Sequence, residues 1–93
     1  MIYLDSGATT LEKPPAVARA MAQAVGEMSS PGRGNYPASQ KAARTAYDCR
    51  EAAAELFHVP APEQVIFTCN ATHGLNIAIR TLVRPGCRVA VSG

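Results

Sequence analysis

Gln64-Val65-Ile66-Phe67-Thr68, then Cys69-Asn70-Ala71-Thr72-His73-Gly74, then Leu75 to Leu82, and last Arg88-Val89-Ala90-Val91-Ser92 form the stretch that decides the fold. QVIFT and RVAVS are short runs rich in β-branched residues, the composition of strands. Between them Leu75, Ala78, Ile79 and Leu82 recur at helical spacing, and Arg84-Pro85-Gly86 closes the helix. A strand, a helix and a strand within about thirty residues is a βαβ unit, whose crossover is nearly always right-handed. The expected fold class is therefore α/β, with Gln64–Thr68 and Arg88–Ser92 as parallel strands.

Moving toward the N-terminus, Pro60-Ala61-Pro62 separates this unit from a long helical pattern, expected from Ala38 to Phe57. Ala42, Ala46, Cys49, Ala53, Leu56 and Phe57 make its expected buried face, while Arg44 and Asp48 pair on the exposed side. Ser29 to Pro37 is dense in turn formers and reads as a loop. Lys13-Pro14-Pro15 opens an earlier helix, because proline suits a first turn that does not need its N–H. Val17, Met21, Ala24, Val25 and Met28 give that helix one apolar stripe. Ile2 to Leu4 is an edge strand or an arm, broken by Asp5, Ser6 and Gly7. Residues 1–60 thus read as an N-terminal arm and helices, and residues 61–93 as the start of an α/β domain. Parallel sheets are normally larger and covered on both faces. The chain is therefore expected to be the opening part of something longer, with strand edges and an apolar helix stripe that await partners.

Composition narrows the function classes. Of 93 residues, 47% are hydrophobic and 17% charged, which excludes disorder, collagen and coiled coil. A formal net charge of +2 gives no electrostatic footprint for nucleic acid. Cys49, Cys69 and Cys87 are an odd set without a close pair, unlike a disulfide framework. They read as buried small residues or strand-edge packing. The start MIYLDSG has no signal-peptide character, and no run approaches the roughly 20 apolar residues of a membrane span. The expectation is a reduced, cytoplasmic protein with no membrane partner. Asn70-Ala71-Thr72 fits the glycosylation pattern, but nothing else suggests secretion.

In open α/β sheets ligands bind where a strand turns into a helix. Here that turn is Thr68 to Gly74. Free N–H groups at a helix start, the helix dipole and a threonine hydroxyl suit an anion, above all a phosphate. Alternatively, Asn70 or Thr72 simply caps the helix. Other sites fail on spacing. There is no Walker-type phosphate loop, and Gly32-Arg33-Gly34 has Pro37 where a dinucleotide fingerprint needs glycine. His58 and His73 match no zinc spacing with the cysteines, and no Ser-His-Asp grouping can be argued.

Three segments go further together. Tyr3-Leu4-Asp5-Ser6-Gly7-Ala8-Thr9 with Lys13-Pro14-Pro15-Ala16-Val17, then Ser30-Pro31-Gly32-Arg33-Gly34, then Val65-Ile66-Phe67-Thr68 with Asn70-Ala71-Thr72 and Leu75-Asn76, lie in order along the chain. They resemble the opening, the glycine-rich loop and the cofactor-phosphate turn of cysteine desulfurases and their class V aminotransferase relatives. Gly7 stands where alanine is commoner, Tyr36 where many relatives have histidine, and His73 where many have glutamate.

The resemblance implies the N-terminal helical segment and first βαβ unit of a fold type I pyridoxal-phosphate transferase, truncated before the rest of its large domain. It implies that Ala71, Thr72 and His73 meet the phosphate of pyridoxal 5′-phosphate. Gly7 and Ala8 would border the substrate pocket, and Arg33 would reach the partner's active site in a homodimer; a tight turn and a solvated loop charge are the plainer alternatives. The implied reaction converts L-cysteine to L-alanine and passes sulfur to an enzyme cysteine, with a sulfur-acceptor protein beyond. The family's Schiff-base lysine and sulfur-accepting cysteine match none of Lys13, Lys41, Cys49, Cys69 and Cys87, so this chain alone is expected to be inactive. Rival readings are a selenocysteine lyase or an aminotransferase on the same scaffold, or a noncatalytic phosphate-binding or interaction module.

Overall fold

Proline within the first turn opens each of the first two helices, as its fixed φ and missing N–H favour. The computed structural model describes residues 1–93. In chain order it contains α1 (Pro15–Glu27), α2 (Pro37–Phe57), a single 3₁₀ turn (Pro62–Gln64) and α3 (Ala71–Leu82). All three helices fall where the apolar periodicity and the flanking Pro and Gly put them.

The organising element is α2. It ends in a Schellman motif, with His58 left-handed at φ 54°. The His58 N–H donates to the Glu55 carbonyl at 3.3 Å, and the Val59 N–H to the Ala54 carbonyl at 2.8 Å. This closure sends the chain back along α2, so that the 3₁₀ turn packs against the helix. Glu63 of that turn faces Tyr47, and its carboxylate, with desolvation and Glu51, raises the phenol's pKa. Ser39, Ala42 and Ala54 are the only buried residues, all on α2. The expected apolar face is thus partly realised. Ala42 is buried and Ala46 and Ala53 are half-buried, but Cys49, Leu56 and Phe57 stay exposed because nothing lies across from them.

The expected sheet does not form. Neither Gln64–Thr68 nor Arg88–Ser92 joins a ladder; the chain has three helices and no strand. This corrects the α/β class and the βαβ unit. Strand propensity measures how well side chains fit a pleated, half-buried surface rather than a backbone preference. Two parallel strands alone are marginal in water. Without further strands or a covering layer, QVIFT and RVAVS have nothing to pair with.

The consequence is an open molecule. Its radius of gyration is 17.6 Å, against about 12 Å for a compact domain of this length. Val17, Met21 and Val25 of α1 and Leu75, Ile79 and Leu82 of α3 are exposed. All three cysteines are exposed too, so the expected burial of these small residues does not occur. No helix is long and apolar enough to cross a membrane.

Candidate functional site

The turn before α3 is built almost wholly by its own hydrogen bonds. Asn70 is the N-cap, with extended backbone, and its Oδ1 accepts from the His73 N–H at 2.8 Å. His73 answers in the other direction, its Nδ1 accepting from the Cys69 N–H at 3.3 Å. The pair is a variant of the capping box: imidazole takes the place usually held by Glu or Gln at the third helical position, and it reaches the N–H of Cys69, one residue before the cap, rather than that of Asn70 itself. The Thr68 hydroxyl donates to the Asn70 carbonyl at 3.0 Å, and the Gly74 N–H to the same oxygen at 3.1 Å. Gly74 lies so close to Thr68 that a Cβ there would sit 3.4 Å from Oγ1.

These bonds leave a defined set of donors unused. The N–H groups of Ala71 and Thr72, the first two helical residues, have no partner, and the Thr72 hydroxyl enters no hydrogen bond. The Thr72 carbonyl is engaged by Asn76 Nδ2 at 2.9 Å, one turn further on. Three donors at the positive end of α3 suit a phosphate dianion. The His73 N–H is already committed to Asn70, so what His73 offers here is its ring in the box. The capping reading of the turn is realised in Asn70. Asn70 caps the helix, and Ala71 and Thr72 remain open to a ligand.

The other candidate residues lie elsewhere. Gly7 and Ala8 sit in a tight turn in which the Ala8 N–H donates to the Asp5 carbonyl at 3.0 Å. The Tyr3 hydroxyl braces this arm through the carbonyls of Asp5, at 3.1 Å, and Thr9, at 2.6 Å. Arg33 is at the tip of the Ser29–Tyr36 loop, beside Gly32 at φ +75°, a conformation that favours glycine. That loop is strapped to the start of α2. Buried Ser39 donates to the Ser30 carbonyl at 2.9 Å, and the Ser29 and Tyr36 hydroxyls meet at 2.7 Å. Arg33 itself makes no ion pair. Along α2, Ser39 and Arg50 are separated by about 16 Å at 1.5 Å per residue. The helix thus holds the Arg33 loop and the approach to the Thr68–Gly74 turn at different stations, and the chain does not bring them together.

Two features escaped sequence reasoning. The capping box was signalled by Asn70 and a polar residue three positions on, but histidine is not its usual member. The second is the seating of Phe67, whose ring centroid lies 5.2 Å from the guanidinium carbon of Arg50 on α2. No local pattern announces a contact seventeen positions apart in sequence. An open apolar hollow of about 650 Å³ lies between α3 and the segment before the turn, lined by Ile66, Thr68, Gly74, Ile77 and Leu82 among others.

The aminotransferase class-V family model matches residues 2–93. The chain belongs to the class V aminotransferase family, a family of pyridoxal-phosphate-dependent enzymes. No curated protein and no solved structure matches it.

Proposed function

We propose that this chain supplies the cofactor-phosphate site of a pyridoxal-phosphate-dependent cysteine desulfurase, as the N-terminal part of a longer enzyme. The observation that carries the reading is the trio of unused donors, Ala71 N–H, Thr72 N–H and Thr72 hydroxyl, at the start of α3 in a class V aminotransferase chain. When bound, pyridoxal phosphate supplies an electron sink for bond cleavage at the amino-acid α-carbon. Everything else falls to the protein. Asn70, His73 and Thr68 hold the turn; Ala71 and Thr72 hold the phosphate and so orient the cofactor. The arm at Gly7 and Ala8 borders the substrate, and Arg33 serves the partner subunit of a homodimer.

The substrate reading rests on the opening YLDSGAT, the SPGRG loop and the NAT turn, which together resemble desulfurases. The lysine and cysteine of the reaction must lie elsewhere in the enzyme. Lys13 donates to the Thr10 carbonyl at 2.6 Å and Lys41 pairs with Glu27, both on elements other than the turn. The cysteines here are equally unmatched to the sulfur-accepting role. The uncovered apolar faces of α1 and α3 also fit a chain that packs against more polypeptide.

The test is to supply full-length protein with pyridoxal phosphate and L-cysteine and to follow alanine and protein-bound persulfide. Stoichiometric alanine and sulfur are expected, and the 93-residue chain alone should yield neither. Conversion of selenocysteine but not cysteine, or amino transfer to a keto acid, would move the enzyme to another branch of the same family.

A further inference from the structure

Arg50 is oddly placed. Its Nε is buried and has no hydrogen-bond partner, an arrangement that is unfavourable for a donor. Its guanidinium carbon instead lies 5.2 Å from the centroid of the Phe67 ring, within cation–π range. Phe67 is the last residue before Thr68, whose hydroxyl fixes the Asn70 carbonyl and with it the start of α3. The chain between α2 and that point is held at the Schellman closure and at the 3₁₀ turn. Beyond these, the Arg50–Phe67 contact is the final hold on the segment before the phosphate turn, and α3 makes no comparable packing of its own.

We propose that Arg50 is a positioning residue for the phosphate turn: by gripping the Phe67 ring it fixes where Ala71 and Thr72 present their donors relative to α2. Arginine suits this role because its planar, weakly hydrated guanidinium lies flat on an aromatic face while its stem packs along the helix. The unpaired Nε–H is what that geometry costs. The proposal rests on the phosphate reading above, and its test separates the two.

The experiment titrates the full-length apo protein with pyridoxal phosphate and, separately, with pyridoxal, which lacks the phosphate. Any covalent attachment contributes to both, so the ratio of affinities isolates the phosphate turn. Arg50→Met and Phe67→Leu should each weaken pyridoxal phosphate about two- to fivefold, the size of an exposed cation–π contact, with pyridoxal unchanged. The double variant should be no worse than the poorer single one, and Arg50→Lys, which keeps the charge but loses the planar guanidinium, should retain only part of the ratio. An unchanged ratio, an equal loss for both ligands, or additive losses would overturn the proposal. If Arg50→Met fails to fold, Phe67→Leu and Arg50→Lys carry the same comparison. A parent protein that binds both ligands equally would instead remove the phosphate reading itself.

Discussion

The stretch from Ser29 to Val65 and the stretch from Ile66 to Gly93 both carry many apolar side chains, yet they are organised by different forces. The first contains every buried residue and folds back on itself, with the 3₁₀ turn seated on α2. The second buries nothing: Ile66, Leu75, Ile77, Ile79, Leu82, Val89 and Val91 are all exposed. Its Thr68–Gly74 turn is held by bonds between residues no more than four apart. The hydrogen bonds of this turn are thus locally specified, whereas the sheet expected around it requires pairing between segments distant in sequence.

The largest expected effect breaks the first region. Ala54→Glu would force a carboxylate into a buried site, at a cost of several kcal/mol, and should abolish the packing of the 3₁₀ turn on α2. Ala78→Glu on exposed α3 should stay within about 0.5 kcal/mol in this chain. Thermal unfolding followed by circular dichroism distinguishes them. The same Ala78 change proving severe in the full-length protein would show that α3 is covered there.

Ser39→Ala comes next. It removes the donor to the Ser30 carbonyl at a position 1% exposed, and should cost about 1–3 kcal/mol while loosening the Arg33 loop. Faster amide exchange at Ser29, whose N–H donates to the Ala38 carbonyl, would report it; unchanged exchange would mean the loop is held some other way.

Asn70→Ala tests the second region and should cost α3 about 0.5–2 kcal/mol through loss of its cap. Asn70→Asp should be tolerated. His73→Ala should do less, since it frees only the exposed Cys69 N–H, and His73→Gln should restore an acceptor. Exchange protection along α3 gives the order; an equal loss for Asn70→Ala and His73→Ala would break the account of the capping box.

How far the sequence spoke for itself follows the same division. Prolines, apolar periodicity and the turn-rich SSPGRGNYP placed all three helices to within a few residues, because those signals are local. Ala42 was legible as core for the same reason. Leu56 and Phe57 looked equally buried, but burial needs an opposing surface and none is present. QVIFT and RVAVS have strand composition and no ladder, for the reason that pairing is a property of two segments. At the turn, Asn70 and Thr72 were legible as cap and ligand candidates. The imidazole half of the box and the Arg50 grip were not, since one uses an uncommon residue and the other is a tertiary contact.

The smallest effect concerns the surface link between α1 and α2. Lys41 and, more weakly, Gln23 bond the Glu27 carboxylate and lower its pKa. A depressed carboxylate contributes stability above its unfolded value and loses it as pH falls through the folded one. The α1–α2 link should therefore weaken only in acid, below the ordinary glutamate range, and high salt should blunt it. Fluorescence energy transfer between labels on α1 and α2 would follow it, and a transition near neutrality would contradict this origin.

The central claim is that Thr72 and its neighbouring N–H groups bind the phosphate of the cofactor. Thr72→Val keeps the side chain's shape and removes the hydroxyl. A hydrogen bond to a charged group is worth roughly 1.5–3 kcal/mol, so pyridoxal-phosphate affinity of the full-length protein should fall by about one to two decades, with pyridoxal affinity unchanged. Equal dissociation constants for pyridoxal phosphate in the parent and the valine variant would contradict the claim and leave the turn as a capped helix start.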